Sequence, residues 1–548
     1  MAWYFINKCY FYLHINVSKY NIKRKRRDKI LSSSVGYLIL LIFGGGFTAV
    51  TIMMQRRQGK EMTAEQFSTA GRNVGVGLAS ASIIAAWTWA ATLMMSSSTG
   101  YQYGISGPYW YAAGASIQIL LFAIVAINLK KKAPNAHTFL EFIAQRFDVK
   151  NHRLMLGFAL MTNIIVTAMV ILGGAIALNS LTGMNIFVAA FLIPLTFTIY
   201  TMIGGLKASF VADYFNTVFI FVILFIFAAA VYYKFGVTSV YEGLKNLPQS
   251  QHMLTMASVP GLLFGMINII GNFGTVFVDQ AYWQRAIASK NSAASKAYIY
   301  GGIAWFSIPF AVATFLGVSA AGLGIAVDSP DSIAPVMASH VLGNLGSILF
   351  LTMLFMAVMS TGAAELTAIT NIIVTDIYLR SINPKASSKK ILSTSRKVTL
   401  GFGLAMGVFS ILLFYLGISL GFVYMAMGIF VSGAVIPVTL GLMWKKATNT
   451  GAFYGALLGM IGGVVAWNTS AYLINGHINV ETLGGLYPML IGNSTVFIIS
   501  GVISIGHGLL AEKEFDFDEL KDKFKSFDEH GDEPLREEVA YGSTTTVK

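Results

Sequence analysis

The stretch IIAAWTWAAT, residues 83–92, decides the fold and lies inside a longer apolar run from Val76 to Ser98. A helix in the middle of a bilayer should be uniformly apolar, yet this stretch carries two tryptophans and two threonines and leads into SSSTG at 96–100. We predict that the helix breaks near its middle. A break frees backbone carbonyl oxygens, which the membrane tolerates only where they face protein, water or an ion. Such oxygens bind hard cations, so the stretch indicates half of a sodium site.

The composition of the 548 residues is that of a polytopic membrane protein. Hydrophobic residues make up 55% of the chain, charged residues only 11%, and the mean hydropathy is +0.65. These values exclude an ordinary soluble enzyme. The net charge of +13 does not indicate nucleic acid as a partner, because most lysines and arginines lie in short loops and basic patches with interleaved aromatic residues are absent. The charge instead reports membrane topology.

Thirteen apolar runs are long enough to cross the lipid bilayer, which takes about 20 helical residues. The chain is therefore predicted to be an all-α integral membrane protein with about thirteen transmembrane helices. The run at 345–377 is longer than the bilayer needs, so we expect a tilted helix that projects into the cytoplasm. The runs are 35–54, 76–98, 108–129, 154–181, 186–203, 208–233, 259–280, 297–323, 345–377, 398–416, 420–444, 451–473 and 487–511.

Loop charges predict the orientation of these spans. Almost all lysines and arginines of the connecting loops fall on one side, which we assign to the cytoplasm. With an odd number of spans, the C-terminus then lies inside and the N-terminus outside. The first 34 residues contradict this orientation because they hold eight basic side chains. We expect a mis-assigned start, with the true one near Ile30 or Leu31; the alternative is a leader helix that inserts against its local charge.

The charged segment after Leu510 interleaves large apolar side chains with acids and lysines. We predict a short cytoplasmic amphipathic helix followed by disorder. A role in binding a protein partner is the alternative. The interleaved residues are Phe515, Phe517, Leu520, Phe524 and Phe527.

A second informative stretch, LFMAVMSTGAAELTAITN at 354–371, places polar groups on one face of a membrane helix. The residues at i, i+3, i+4 and i+8 are Ala357, Ser360, Thr361 and Glu365. Serine and threonine alone would be read as hydroxyls that bond back to their own helix and pack closely. A carboxylate at such depth, however, costs at least about 2.5–3.5 kcal/mol unless it is partnered or protonated. The acid therefore favours a functional reading of the hydroxyls before it.

A third stretch, 265–286, predicts a second broken helix. Asn268, Asn272 and Thr275 recur there at helical spacing among glycines, and we place the interruption at Gly271 and Gly274. Two matching broken helices are typical of inverted-repeat transporters.

The remaining polar residues predict structural roles. Asp279 and Arg285 lie near the cytoplasmic end of their span, where a gate or salt bridge is expected. Asp213 is expected at the interface, and His137 as a cap or surface contact. Histidines and acids show no metal-ligand spacing, no Gly-rich phosphate loop follows a strand, and no Ser-His-Asp set is found. We expect no enzyme.

At these residues the chain resembles the sodium:solute symporter family, in particular its active urea transporter branch, over roughly 68–520. The two most restrictive motifs are KAPNAHT and the run from WTWAAT to GPYWYAAGA. The motifs that carry the resemblance are AGRNVGVGL at 70–78, WTWAAT at 87–92, YQYGISGPYWYAAGA at 101–115, KAPNAHTFLEF at 132–142, VDQAYWQRAIASK at 278–290, MSTGAAELTAI at 359–369 and YPMLIGN at 487–493.

The resemblance implies a LeuT-type fold, in which two five-helix repeats are related by inversion. The repeats would begin at Val76 and Val259. The chain would then divide into a basic N-terminal tail (1–34), a leader span (35–54), a first repeat (76–233), a second repeat (259–444), C-terminal spans (451–511) and a charged cytoplasmic tail (512–548).

The resemblance also implies a sodium site between the repeats. Carbonyl oxygens on the first broken helix would meet one carbonyl and two hydroxyls on the eighth core helix. The positions that match are Ala85, Thr88, Ala357, Ser360 and Thr361. Both hydroxyls are present, which favours Na+; H+ stays open as the coupling ion, because eukaryotic members of this branch are thought to use protons.

For the substrate, the resemblance implies urea. Ala91 and Thr92 replace the polar residues of the sugar branch, and Trp87 replaces the acid of the proline branch, so sugar and proline are disfavoured. Urea is small and planar, with four N–H donors and one strong acceptor, so its site should combine aromatic walls with fixed polar groups. Residues of this kind are Trp87, Trp89, Trp110, Tyr111, Asn272, Thr275 and Glu365. Lipid contact or core packing is the alternative role for each tryptophan.

Together these features predict Na+-coupled import of urea across the plasma membrane by alternating access. The alternatives are H+ coupling, and a polyamine or other small amide as substrate. A transporter-like sensor is less favoured, because only a short segment follows the last predicted span, with little room for an output domain.

Overall fold

The computed structural model describes residues 31–58, 61–415, 418–520, 523, 524 and 527. Over these residues the protein is helical, and a single isolated β-bridge pairs Val74 with Ser289. The expectation about the true start concerns residues 1–30, which lie outside the described residues.

The helices of the described residues are numbered in chain order. The α-helices are α1 Ser33–Gln58, α2 Ala64–Thr69, α3 Val76–Trp87, α4 Ala90–Tyr103, α5 Ser106–Lys132, α6 Phe139–Arg146, α7 Val149–Thr182, α8 Ile186–Lys245, α9 Ser250–Met253, α10 Val259–Phe277, α11 Gln280–Ala288, α12 Ala294–Val312, α13 Ser319–Gly322, α14 Ile333–Asn371, α15 Ser388–Tyr415, α16 Leu420–Val431, α17 Val435–Met443, α18 Asn449–Asn475, α19 Val480–Leu483 and α20 Leu486–Leu509. Short 3-10 turns are Ala70–Arg72, Pro330–Ser332, Ser432–Ala434 and Phe517–Leu520, and π-helical turns are Ala313–Val318 and Ile372–Ile382.

The span prediction is confirmed as a multi-pass helical membrane protein. Among the described residues, eleven helices are long and apolar enough to cross a membrane, and α3 with α4 forms one further span that is bent by 61°. Helix α8 covers two predicted spans, which join at Gly205, where φ is 55°. When the two arms of α8 are counted as separate spans, the total is thirteen, which is the predicted number of transmembrane spans. The span predicted at 345–377 is part of a 53-residue helix, Pro330–Ile382, that bends at Gly343.

The middle of the protein is formed by α3, α4, α7, α10 and α14. Helices α1, α15 and α18 lie outside them and expose broad apolar faces. The two polar stretches of the sequence, 83–92 and 354–371, are buried along their whole length. Side chains that a soluble protein would expose are thus enclosed by other helices.

The predicted position of the second helix break is wrong. Helix α10 runs without interruption through Gly271 and Gly274, and the break falls two residues after its end, at Asp279. The glycines serve close packing instead: a Cβ on Gly428 of α16 would lie 2.5 Å from the Cα of Gly271. A Cβ on Gly274 would likewise lie 2.4 Å from a methyl group of Val431. Small residues at a helix crossing and at a helix break look alike in sequence.

The described residues of the tail after Leu510 (511–520, 523, 524 and 527) do not form the predicted amphipathic helix. Among them Phe517–Leu520 is a 3-10 turn, and the large side chains pack against the C-terminal ends of α5 and α6. The ammonium group of Lys132 lies 3.4 Å above the ring of Phe517, and the guanidinium of Arg146 lies 4.2 Å from the ring of Phe515. Lys132 ends α5 and Arg146 ends α6, so cation–π contacts to basic side chains at helix ends stabilise this part of the tail.

His137 is buried beneath this tail rather than at the surface. Its ring stacks on Phe527 at 3.6 Å, and its Nε2 lies 2.7 Å from Oε2 of Glu65, which also accepts the backbone N–H of Phe527. Burial lowers the pKa of His137, but hydrogen bonds and charge from Glu141 and Glu65 outweigh it and raise that pKa above 6.5. Burial raises the pKa of Glu65, yet His137 and Arg72 outweigh it and hold that pKa well below its ordinary value.

We expect His137→Gln to destabilise the protein by about 1.5–3 kcal/mol at mildly acidic pH, because a charged hydrogen bond is lost. A raised histidine pKa stabilises the folded state fully below pH 6.5, and this contribution disappears as the pH rises through the folded-state pKa. The difference in Tm between wild type and variant should therefore be larger at about pH 6 than at about pH 9. Thermal unfolding of the purified full chain measures it.

The exposed His477 offers the matched control, since His477→Gln should leave Tm unchanged at both pH values. A difference for His137→Gln that is equal at the two pH values would contradict the charged pair.

Candidate functional site

The first broken span has the geometry that its sequence predicts. Helix α3 ends at Trp87, Thr88 and Trp89 leave the helical conformation, and α4 starts at Ala90. The hydroxyl of Thr92 accepts the N–H of Trp89 at 3.0 Å and donates to the carbonyl of Trp87 at 3.2 Å. These two bonds satisfy part of the backbone that the break frees, as burial requires.

The carbonyl oxygens at the break face α14. The hydroxyl of Thr361 donates to the carbonyl of Ala86 at 3.2 Å and to that of Thr88 at 3.4 Å. Ala357 lies one turn earlier on α14 and is buried. The carbonyl of Ala85 keeps a partner inside its own helix, the N–H of Thr88 at 3.2 Å. The structure therefore brings Thr361 to the break, where only some of the oxygens are taken up by the helix itself.

The hydroxyl of Ser360 points elsewhere and donates to Oδ1 of Asp213. Asp213 was predicted at the membrane–water interface, but this position is wrong because the side chain is fully buried. It also accepts a hydrogen bond from Ser82 and forms an ion pair with Arg285 at 3.2 Å. The salt bridge expected for Arg285 thus exists, but deep among α3, α8, α11 and α14. An aspartate in the apolar run 208–233 was itself the sign of burial, because it would be costly in a bilayer without a partner.

Trp87 and Trp89 are buried at the break, which excludes lipid contact. Their rings meet edge to face at 4.8 Å, and Tyr282 and Trp305 lie 5.2 Å and 5.9 Å from Trp87. Both indole N–H groups donate to backbone carbonyls, and that of Trp305 donates to the hydroxyl of Thr88 at 3.1 Å. The break is therefore walled by four aromatic rings, of which the sequence singled out two.

A second polar group extends along α10. Tyr111 stacks on Tyr424 at 5.6 Å, and the Tyr424 hydroxyl donates to the Asn268 side chain at 2.6 Å. Asn272 bonds to Asn268, and the hydroxyl of Thr275 donates to the carbonyl of Asn272 at 3.3 Å.

Of the predicted substrate residues, Asn272 and Thr275 thus lie on α10, and Tyr111 of α5 meets α10 through its carbonyl, which accepts from Nδ2 of Asn268 at 2.9 Å. Trp110 does not: it is half-buried and donates to the carbonyl of Met256 at 2.9 Å, at the edge of the bundle. Adjacent residues of a helix face different directions, which separates Trp110 from Tyr111.

Glu365 joins a third group, which the sequence did not assemble. The Nδ2 of Asn163 on α7 donates to Oε2 of Glu365 and, at 3.4 Å, to Oδ1 of Asp279. Asp279 stands at the second break and caps α11 by accepting the N–H of Ala281 at 2.7 Å. The sign of Asn163 in the sequence was a lone amide in the apolar run 154–181.

Comparisons with known proteins give the same architecture. The sodium:solute symporter family matches residues 67–459. A Na+-coupled sialic acid symporter in a substrate-bound outward-open state superposes with a TM-score of 0.68 at 18% identity, over 88% of this chain and 98% of that one. This likeness confirms the predicted LeuT-type fold.

Three curated relatives are similar over most of their length. A urea-proton symporter of Oryza sativa subsp. japonica is 43% identical over 89% of this chain and 72% of its own. A probable urea active transporter of Schizosaccharomyces pombe is 38% identical (89% and 78%), and a urea active transporter of Saccharomyces cerevisiae is 37% identical (90% and 71%). All three are named as transporters, in agreement with the prediction that the chain is not an enzyme.

Proposed function

Because the chain belongs to the sodium:solute symporter family, we propose that it imports urea across the cell membrane as a secondary active transporter that works by alternating access. The observation that carries the proposal is the contact of Thr361 with the carbonyl oxygens of the broken span. It would link the two proposed repeats, 76–233 and 259–444, at a point where an ion could hold them together. The N-terminus would lie outside and the C-terminus in the cytoplasm.

Urea as substrate is supported by the names of the relatives and by the chemistry around the break. Trp87 and Trp89 offer flat walls for a planar molecule, and Asn272, Thr275 and Glu365 offer polar groups for its N–H and C=O groups. Trp110 is the weakest member of the proposed substrate set, since it lies at the edge of the bundle.

Sodium is the first candidate for the coupling ion. The proposed ligands are carbonyls of Ala85, Thr88 and Ala357 with the hydroxyls of Ser360 and Thr361, and Ser360 would have to turn away from Asp213 to take part. One Na+ that crosses about 100 mV gains about 2.3 kcal/mol, and a tenfold gradient adds about 1.4 kcal/mol. This free energy would allow the transporter to concentrate a neutral solute on the order of several hundredfold, whereas a passive channel cannot concentrate a solute.

The proton is the second candidate, and a specific observation favours it. Two buried carboxyl groups, Glu365 and Asp279, share one asparagine amide. The relative from Oryza sativa is named as a proton symporter.

Uptake of [14C]urea into proteoliposomes tests the proposal. We expect accumulation under an imposed cation gradient, with the dependence on Na+ or on pH identifying the ion, and weak competition from polyamines and sugars. Absence of uptake under either gradient would contradict transport of urea and favour a sensor.

Thr361→Ala should reduce Na+-driven urea uptake at least about tenfold if sodium is the ion, since loss of one coordinating oxygen worth about 1.4 kcal/mol accounts for that factor. Ser360→Ala should act in the same direction. The matched control is Thr495→Ala, which removes a hydroxyl bonded only to the preceding turn of α20. Full uptake by Thr361→Ala at limiting Na+ would rule out sodium at this place.

A further inference from the structure

Asp279 and Glu365 reach one another from different helices in the middle of the protein. Asp279 lies in the break between α10 and α11, and Glu365 lies on α14. Both are buried, as is Asn163 of α7, whose single Nδ2 donates to a carboxyl oxygen of each. Two acids on one amide nitrogen are therefore held close together by the fold.

The hydrogen bonds of this group are incomplete. Among the described residues, Oδ2 of Asp279 and Oδ1 of Asn163 are buried without a hydrogen-bond partner. Both atoms are acceptors, so what the group lacks is a donor. Buried acceptors without a donor are costly, and a proton on one of the carboxyl groups would supply the missing O–H.

The charges around Asp279 and Glu365 also favour a proton on one of the two carboxyl groups. On α11, Arg285 directs its guanidinium to Asp213, Ser82 and the carbonyl of Ala281, and no cation of the described residues forms an ion pair with Asp279 or Glu365. Tyr282 is the other titratable group of α11 near the pair, and Asn163 on α7 is neutral. The charge of Arg285 attracts both carboxylates, but its ion pair is with Asp213, so the repulsion between two buried carboxylates in contact favours a proton on one of them.

We propose that Asp279 and Glu365 share one proton and that this proton is the ion that drives urea import. The inference rests on the proposed import of urea and chooses the proton, rather than Na+, as the ion that drives it. A proton from the outer solution binds to one carboxylate and gives a carboxyl that donates to the other; release to the inner solution restores two carboxylates. Because Asp279 caps α11 and Glu365 belongs to α14, repulsion after release pushes these two helices apart.

The test uses proteoliposomes with the full chain and a trapped pH-sensitive dye in Na+-free buffer. An inward urea gradient should acidify the lumen in the wild type. Glu365→Gln and Asp279→Asn should each reduce this proton movement at least about tenfold, while urea counterflow by Asp279→Asn stays detectable, because exchange needs no net release of the proton. Glu242→Gln is the matched control and should behave as the wild type, since Glu242 is a half-exposed acid paired with Lys245.

The outcomes separate this inference from the proposed function. Urea movement by the wild type without proton movement would overturn the shared proton and leave urea import intact, as would undiminished proton movement in both variants. No urea movement at all would overturn both.

Discussion

Arg285→Met should lower the free energy of unfolding by about 3–5 kcal/mol, because it leaves Asp213 buried without its cation. Asp213 is fully buried, and after the substitution the hydroxyls of Ser82 and Ser360 and a long hydrogen bond from Ser209 remain to stabilise its charge. We expect a lower yield of monodisperse protein and a markedly lower Tm. Size-exclusion chromatography and thermal unfolding of the purified full chain measure both.

A double variant separates lost pairing from lost packing. Arg285→Met with Asp213→Asn removes both charges, and it should recover most of the stability that the single substitution loses. The matched control is Lys245→Met, which breaks an exposed pair with Glu242 at 3.8 Å and should change stability by less than about 1 kcal/mol. Equal losses for Arg285→Met and Lys245→Met would contradict the buried ion pair.

Gly100→Ala should destabilise the protein by about 1–3 kcal/mol and reduce transport with it. Gly100 ends the sequence SSSTG on α4, and a Cβ there would lie 2.3 Å from the carbonyl oxygen of Ala313 in the π-helical turn. Backbone atoms cannot turn aside as a side chain can, so α4 would have to move away from the turn. Thermal unfolding and urea uptake of the same preparation check the two effects.

Gly157 of α7 is the matched control for this substitution. A Cβ on Gly157 meets nothing within 4 Å, and alanine in a helix interior is more favourable than glycine by about 0.5–1 kcal/mol. Gly157→Ala should therefore leave Tm unchanged or raise it. A similar response of the two variants would show that Gly100 has room for a side chain.

The first helix break could be predicted because its cause is local. Polar and small residues in 83–92 make an uninterrupted apolar helix unfavourable, and the residues that close the break, Trp89 and Thr92, lie in the same stretch. The number of spans is local as well, since each run of apolar residues is long enough to cross the membrane. Gly205 joins two predicted spans into the single helix α8, so the number of helices there is one lower than the number of predicted spans.

Features that depend on distant partners could not be predicted. The sequence predicts a break at Gly271 and Gly274 because it does not show that α16 packs against them. It predicts an interfacial position for Asp213 because Arg285, the cation that pairs with it, is 72 positions away. The same holds for Asn163, which acquires its role only when Asp279 and Glu365 meet it from two other helices.

The contact between Phe527 and Glu65 has a consequence for the biogenesis of the protein. The two residues are 462 positions apart, so the bond between them can form only after the ribosome has translated the chain as far as Phe527. Until then Glu65 and His137 lack the aromatic ring that covers them. Closure of the ring over His137 thus follows the synthesis of all the described membrane helices.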